Sequence, residues 1–277
     1  MHPATDRSST VAGAPRDDLP ALPNRLPAVE QRAAMPGGFR AGGLAAGIKP
    51  SGRPDLAVIA TTRESAAVAA VFTRNQVVAA PIKLSRAHLN ATEIGGGGSF
   101  GWADAIVATA GSANAATGIE GDTDQAEISK ALAALLNTKS ERTLALSTGV
   151  IGVRLPLTKV RDGLARLVPD LAGTDAGLEA VAGAMMTTDT KIKLATTSLA
   201  LPGPEGPVTV TVTGIAKGVG MIHPCMATML SVILTDASGA PATLHALLSP
   251  IVQRTWNQIS VDGDTSTNDT VFLLASG

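Results

Sequence analysis

Short apolar or half-apolar runs recur along this chain at lengths typical of β-strands. We predict buried strands at 56–60, 105–110, 143–147, 229–234 and 270–275. Val208, Val210 and Val212 alternate with threonines, which is the pattern of a strand with one buried face. Because the last run stops at Ser276-Gly277, it fits either a chain cut short or a terminus on an edge strand.

Helical periodicity separates these runs. We predict helices at 64–72, 122–136, 159–167, 175–186 and 244–258. Asp122 is positioned to cap the second of them, with Gln125 three residues later. Residues 1–35 are rich in Pro, Ala and charge without periodicity, which predicts a loose tail. The glycine run 95–98 predicts a mobile connection.

Composition excludes several classes of function. Aromatic residues make up 2% of the chain, Tyr is absent and the net charge is −1, so nucleic-acid binding has little support. No apolar run reaches the roughly 18 residues of a membrane-spanning helix, and we expect no membrane partner. Cys225 is the single cysteine, which suits a reducing compartment and a cytoplasmic protein.

The stretch 216–230, AKGVGMIHPCMATML, carries the most specific chemistry. A threonine hydroxyl within a chain is a poor nucleophile because nothing nearby removes its proton. If the chain is cut after Ala227, however, Thr228 acquires an α-amine that titrates near ~8 and can act as its own base. The alternative is that Thr228 simply opens a buried strand.

Other residues suggest functions with weaker support. The spacing of His223 and Cys225 suggests a Cys–His pair, and Asp262, Asp264, Ser266 and Asn268 imitate a calcium loop. The sixth and twelfth positions of that loop are Thr267 and Leu273 rather than Gly and Glu, so an EF-hand is not expected. We predict no metal site.

Five motifs in order resemble the ArgJ family, the ornithine acetyltransferase/glutamate N-acetyltransferase enzymes of arginine biosynthesis. They are GSANAATG (111–118), STGVIG (147–152), MMTTDTK (185–191), the stretch 216–230, and VDGDTSTNDT (261–270). The resemblance runs from about Gly37 to Gly277. It implies an α+β fold, a sandwich of two β-sheets flanked by helices, similar to the DmpA-type aminopeptidases and of the amino-terminal nucleophile type.

The resemblance also implies roles for residues. Members of the family cut themselves between the residues matching Ala227 and Thr228, and Thr228 then carries acetyl from N-acetylornithine to glutamate without a cofactor. Thr148 and Gly149 match the oxyanion-hole pair, which suits acyl transfer because a hydroxyl and a glycine amide can stabilise the developing oxyanion. Lys217 matches the lysine that meets the substrate carboxylate, and Thr187 matches a substrate-contacting threonine. Thr188 is one residue away from Thr187, so the choice between them stays open.

Taken alone, each of these residues has a structural explanation. A Ser-Thr-Gly turn needs only the conformational freedom of its glycine, and a lone lysine is usually a solvated charge. The threonines fit a helix end with local hydroxyl bonding.

Composition and the resemblance together predict a division of the chain into three parts. These are the tail at 1–35, a main domain at 36–227 and the start of a second chain at 228–277, with two copies of each cleaved chain in a heterotetramer. The family's C-terminal glutamate, asparagine and hydroxyl contacts cannot be assigned here. The first loop departs from the family's GNANACTG at Ser112 and Ala116, and the TTDTK run lacks the Pro that often precedes its lysine.

Three functions fit the sequence. The first is acetyl transfer from N-acetylornithine to glutamate, with acetyl-CoA left open as a further donor. The second is hydrolysis of small amides or amino-terminal residues by the same self-exposed threonine. The third is a non-catalytic, unprocessed chain that serves as a folded fragment or assembly subunit.

Overall fold

The computed structural model describes residues 27–203, 205–222 and 229–277. Ten β-strands and five α-helices lie within these residues. The strands are β1 (Phe39–Leu44), β2 (Leu56–Thr61), β3 (Ala66–Phe72), β4 (Phe100–Ala103), β5 (Ala105–Ser112), β6 (Thr143–Val150), β7 (Lys193–Leu201), β8 (Val208–Lys217), β9 (Leu230–Thr235) and β10 (Thr270–Ala275). The helices are α1 (Ala80–Thr92), α2 (Gly118–Leu136), α3 (Leu157–Leu167), α4 (Asp175–Met185) and α5 (Pro241–Arg254).

The strands form two mixed sheets. The smaller sheet has the order β1-β2-β5-β6, and the larger has the order β4-β3-β10-β9-β8-β7. Pairing is antiparallel except between β5 and β6 and between β9 and β10. The parallel pair β9–β10 lies in the interior of the larger sheet, where the two strands run in register from Thr270↔Leu230 to Ala275↔Thr235.

The main core lies between the two sheets. Ile59, Ile106 and Leu146 of the smaller sheet belong to the same buried cluster as Val232 and Phe272 of the larger one. Helix α1 packs on β6 and β4, and helix α4 packs on β1 and β2, so both helices extend this core at its sides. Aliphatic side chains fill it almost entirely, in keeping with the low aromatic content.

The outer faces are covered by the remaining helices. Helices α2 and α3 pack on the smaller sheet through Ile128, Leu132 and Leu164. Helix α5 packs on β3 of the larger sheet through Leu248 and Val252. The predicted fold class, an α+β sandwich of two sheets flanked by helices, is confirmed.

The helix predicted at 64–72 is wrong, because these residues form β3. Val68, Ala70 and Phe72 face the main core, while Ala67 and Ala69 face α5. A strand buried on both faces is apolar throughout and has no polar positions from which its period of two can be read. Pairing with β10 and β4 therefore overrides the helical preference of alanine.

Several boundaries also differ from the predictions. Helix α2 begins at Gly118, so Asp122 lies inside the helix and not at its cap. A 3₁₀ turn at Ile94–Gly96 occupies part of the predicted glycine connection, and another at Trp256–Gln258 replaces the predicted end of α5. Strand β10 lies between β3 and β9, so the alternative that it forms a sheet edge is wrong. None of the described helices is both long enough and apolar enough to cross a bilayer.

Candidate active site

A cavity of about 660 Å³ lies where β6 and β8 end and where β9 and β10 begin. Thr148, Gly149, Thr187 and Lys217, which the sequence analysis singled out from separate motifs, all line it. Hydrogen bonds between the sheets hold these segments together: Lys217 Nζ at the end of β8 donates to Thr148 Oγ1 of β6, and Asn268 Nδ2, just before β10, donates to the Ser147 carbonyl of β6. The structure thus brings together every described residue of the predicted site.

Lys217 is the last residue of β8, and its side chain points into the protein. The residue is only 3% exposed, and its Nζ donates a hydrogen bond to Thr148 Oγ1 at 2.9 Å. Burial lowers the pKa of Lys217 from its ordinary value, although the nearby carboxylate of Asp189 acts in the opposite direction. This is not the solvated surface lysine that the sequence alone left possible.

Gly149 follows Thr148 in β6 and has φ +133°, a backbone conformation that side chains rarely adopt. It pairs with Gly111 of β5 so closely that a Cβ at Gly149 would lie 2.3 Å from the carbonyl carbon of Gly111. The position therefore admits only glycine, which keeps the backbone beside Thr148 accessible from the cavity.

Thr187 and Thr188 follow the end of α4, and both line the cavity. The Thr187 N–H donates to Asp189 Oδ2 at 3.3 Å, and Asp189 Oδ1 accepts from the Gly218 N–H at 2.9 Å and from Lys193 Nζ. Burial acts to raise the pKa of Asp189, but these hydrogen bonds outweigh it and hold the pKa below its ordinary value. Asp189 therefore fixes the threonine segment against the residue that follows Lys217.

Residues 266–269, the loop that precedes β10, form another wall of the cavity. Asn268 Nδ2 donates to the carbonyls of Ala113 at 2.6 Å and Ser147 at 2.9 Å. Thr73 Oγ1 donates to the Ser266 carbonyl at 2.9 Å. These bonds brace the loop against segments of both sheets.

Asp269 is completely buried and lines the same cavity. Its Oδ1 accepts the Met229 N–H at 2.9 Å, whereas its Oδ2 has no hydrogen-bond partner within the described part of the chain. Burial raises the pKa of Asp269 from 3.8 to about 8. A carboxyl group in this environment holds its proton well above the ordinary range.

Lys49 contributes a second amine to the cavity wall. The Asp55 carboxylate accepts the backbone N–H groups of Ala46, Ile48 and Lys49, which orders the loop after β1. Lys49 Nζ donates to the Pro54 carbonyl at 2.5 Å and to the Ala184 carbonyl at 3.2 Å. Burial lowers the pKa of Lys49.

Other residues named from the sequence lie outside the described ranges or have a different role. Ala227, Thr228, His223 and Cys225 lie outside the described residues. The carboxylate of Asp262, the first residue of the apparent calcium loop, accepts the N–H groups of Met221 at 2.5 Å and Ile222 at 2.9 Å. No group of three or more His, Cys, Asp or Glu side chains that could hold a metal occurs among the residues described.

The departures of the loop 111–118 have local explanations. Ser112 is buried, and its Oγ donates to the Val153 carbonyl at 2.6 Å and accepts the Asn114 N–H at 3.1 Å. Asn114 Nδ2 in turn donates to the Gly121 carbonyl at 3.0 Å. Ala116 is exposed with φ +54°, so a small residue stands where the backbone is left-handed. Hydrogen bonds within the loop and to Val153 and Gly121 therefore hold it in place.

Sequence reasoning missed three polar residues of this site: Lys49, Asp189 and Asp269. Asp189 and Asp269 lie within the quoted motifs MMTTDTK and VDGDTSTNDT, and Asp269 directly precedes an apolar strand. An acidic residue at the entry of a buried strand was the available signal for Asp269. Lys49 lies outside the motifs, and only its position in the fold identifies it.

The class of protein is defined by its fold and its cavity. Two sheets flanked by helices enclose a cavity lined by a threonine hydroxyl, a glycine backbone and a buried lysine amine. The ArgJ family model matches residues 40–277. The chain is 46% identical over 242 residues to an arginine biosynthesis bifunctional protein ArgJ from Synechococcus, with 87% of this chain and 55% of that protein covered. It is also 46% identical over 243 residues to an ArgJ protein from Caldanaerobacter subterraneus, with 88% and 56% covered.

Two solved structures are also similar to this chain. One is described as ornithine acetyltransferase complexed with ornithine from Mycobacterium tuberculosis, with a TM-score of 0.60, 35% identity, 74% of this chain and 100% of that chain covered. A Bacillus halodurans ArgJ structure gives a TM-score of 0.63 at 31% identity with the same coverage. The protein belongs to the ArgJ family. It spans about half the length of the curated relatives it matches.

Proposed function

We propose that this protein is a self-processing acetyltransferase that moves the acetyl group of N-acetylornithine to glutamate, a reaction of arginine biosynthesis. The observation that carries the proposal is the hydrogen bond from Lys217 Nζ to Thr148 Oγ1 at 2.9 Å inside the cavity. It joins the residue expected to meet a substrate carboxylate to the residue expected to stabilise an oxyanion. The ornithine named with the Mycobacterium tuberculosis structure and the names of the ArgJ relatives support the substrate class.

The proposed chemistry begins with Thr228. After cleavage at Ala227-Thr228, the α-amine of Thr228 removes the proton from its own hydroxyl, and Oγ1 attacks the acetyl carbonyl of N-acetylornithine. The Thr148 hydroxyl and the Gly149 N–H stabilise the oxyanion, and the released ornithine amine takes the proton. The amine of glutamate then attacks the acetyl-Thr228 ester and completes the transfer.

The remaining site residues orient the substrate. Lys217 binds the substrate carboxylate while its bond to Thr148 holds that hydroxyl toward the reacting carbon. Thr187 contacts the substrate, with Thr188 as the alternative because both line the cavity. Aligning reacting groups in this way supplies much of the rate enhancement of a two-substrate reaction.

The division of the chain at 227/228 is part of the same proposal. Strands β3, β4, β7 and β8 precede this point, and β9 and β10 follow it, yet all belong to one sheet. A cut between Ala227 and Thr228 therefore leaves the main domain 36–227 and the segment 228–277 joined by strand hydrogen bonds. Two such cleaved pairs make the proposed heterotetramer, in a cytoplasmic setting that the single cysteine suits.

An acetyl-transfer assay tests the function. Purified protein is incubated with N-acetylornithine, with and without glutamate, and both ornithine and N-acetylglutamate are measured. Formation of the two products in equal amounts, only with glutamate, supports the transferase. Ornithine release without glutamate points instead to the amidase alternative. Thr228→Ala is the matched control, and intact mass shows whether the chain has been cut.

A further inference from the structure

Self-cleavage poses a problem that acetyl transfer does not. In the mature enzyme the free α-amine of Thr228 is the proposed base, but in the uncut chain that nitrogen belongs to the Ala227–Thr228 peptide bond. An amide nitrogen accepts no proton at neutral pH, so another group must take the Thr228 hydroxyl proton. The first turnover of the chain on itself therefore needs an acid–base group that the later reaction does not.

Three titratable side chains line the cavity among its described residues: Lys49, Lys217 and Asp269. Lys49 Nζ donates to two backbone carbonyls, and Lys217 Nζ donates to Thr148. Both amines are therefore engaged as donors. Asp269 alone has an oxygen, Oδ2, that is shielded from solvent and without a partner in the described ranges.

Asp269 is also tied to the residue that follows Thr228. Its Oδ1 accepts the Met229 N–H at 2.9 Å, and the next N–H along its strand, that of Thr270, donates to the Met229 carbonyl at 3.2 Å. Both polar backbone groups of Met229 are thus held by the segment 269–270. Because Met229 is bonded directly to Thr228, the carboxyl group is anchored one residue from the bond to be cut.

The segment that presents Asp269 is itself fixed. The Asp269 carbonyl accepts the Thr73 N–H at 2.9 Å, and Asn268 Nδ2 binds two carbonyls of the opposite wall. A group that transfers a proton must be held within hydrogen-bond reach of its partner, and these bonds give Asp269 little freedom to move away.

From this geometry we infer that Asp269 is the acid–base residue of self-cleavage, an inference that rests on the proposed function. The Asp269 carboxylate takes the hydroxyl proton of Thr228 as Oγ1 bonds to the Ala227 carbonyl carbon. The carboxyl group then gives that proton to the Thr228 nitrogen as the C–N bond breaks, which leaves an ester and a free amine. Water hydrolyses the ester, restores the hydroxyl, and releases Ala227 as a new carboxyl terminus.

Burial raises the pKa of the Asp269 carboxyl to about 8, so the folded protein keeps this proton at pH values at which an ordinary aspartate has lost it. A carboxyl with a pKa near ambient pH is suited both to accept and to return a proton. The Ser266 side chain and the Met229 N–H, which hydrogen-bond to this carboxyl, and the positive charge of Lys217 act in the opposite direction and favour its ionised form.

The test follows cleavage of the full 277-residue chain, pulse-labelled in cell-free translation, by intact mass over time. Asp269→Asn keeps an oxygen for the Met229 N–H and nearly the same volume, but it cannot carry the proton. We expect it to fold, to be at least as stable as the wild type at neutral pH because the buried carboxyl is gone, and to be cut at least about 100-fold more slowly. Asp162→Asn, an exposed change in α3, is the matched control and should be cut at the wild-type rate.

A second variant separates proton transfer from positioning. Asp269→Ala leaves a space, and added formate should restore part of its cleavage rate, which a purely structural role would not allow. Slow cleavage that is indifferent to formate overturns the acid–base role. If the wild-type chain is cut and Asp269→Asn is cut equally fast, only this inference is overturned. A wild-type chain that stays intact overturns self-processing and this inference together.

Discussion

Lys217 and Thr148 come from different sheets, and the 2.9 Å hydrogen bond between them joins the two layers of the sandwich at the cavity. Lys217 ends β8 of the six-stranded sheet, and Thr148 lies near the end of β6 in the four-stranded sheet. The candidate site therefore depends on how the layers pack against each other, and it exists only when both sheets are in place.

Replacing Lys217 with methionine separates function from stability. The buried amine of Lys217 is costly to keep charged, so an apolar chain of similar length should change the free energy of unfolding by less than about 1 kcal/mol or raise it. The loss of the carboxylate contact should raise KM for N-acetylornithine by at least about tenfold, which corresponds to roughly 1.4 kcal/mol. Steady-state kinetics and urea unfolding measure the two effects.

The matched control for this change is Lys130→Met. The side chain of Lys130 is 64% exposed on α2 and pairs with Glu127. Its removal should leave KM unchanged. A Lys217→Met enzyme with wild-type KM would show that Lys217 does not bind the substrate.

Gly149→Ala tests the close approach of β5 and β6. The new Cβ would lie 2.3 Å from the backbone of Gly111 at a φ of +133°, so we expect a loss of at least about 3 kcal/mol of unfolding free energy. Gly152→Ala is the control, because Gly152 also has positive φ, at +82°, but has open space around it. Backbone strain alone should cost that variant about 1–2 kcal/mol. Equal losses in the two variants, measured by urea unfolding, would contradict the steric explanation.

Individual strands and helices could be predicted where a single pattern of apolar residues dominates the segment. Strand β10 matches its predicted bounds, and α3 and α4 agree within two residues, because each has a single apolar run or stripe. Strand β3 was not predictable from its own residues, since the alternation that identifies strands vanishes when both faces are buried. Helix α1 and strands β1, β4 and β7 were missed as well; α1 has neither a side-chain cap nor an acidic residue in its first turn to mark its start.

The site was predictable only through its motifs. Thr148, Gly149, Thr187 and Lys217 are far apart in sequence, and no local pattern states that they share a cavity. Their meeting follows from strand order, which depends on long-range pairing such as β3 with β10. Asp269 was missed for a related reason: burial, not residue type, sets its chemistry.

Asn268→Ala tests the loop that forms one wall of the site. Its side-chain amide satisfies the carbonyls of Ala113 and Ser147, and both bonds are buried. Leaving two buried acceptors without partners should lower the free energy of unfolding by about 2–4 kcal/mol. Asn90→Ala, an exposed change within α1, should be neutral or slightly stabilising. Urea denaturation compares the two, and a loss below that of the control would contradict the bracing role of Asn268.

The raised pKa of Asp269 predicts a distinctive dependence of stability on pH. The pKa of this carboxyl is about 8 in the folded protein, against an ordinary value of 3.8. Between these values the unfolded chain has lost the proton that the folded chain keeps. The contribution of Asp269 to stability is therefore complete at low pH, declines by up to about 1.4 kcal/mol per pH unit, and is lost as the pH rises through about 8.

The experiment compares Asp269 with Asp269→Asn, each in a Thr228→Ala background so that the chain stays in one piece. Unfolding free energies are measured from pH 5 to pH 9. Every other titrating group, including Lys217 and Lys49 in the same cavity, is common to both proteins, so the difference between the two curves isolates Asp269. As the pH rises toward 8, the free energy of unfolding of the asparagine variant should increase relative to that of the parent. Above pH 8 the difference should level off. A difference that stays constant with pH would mean that Asp269 is ionised in the folded protein throughout this range, and that its unpaired oxygen is satisfied by a charged partner.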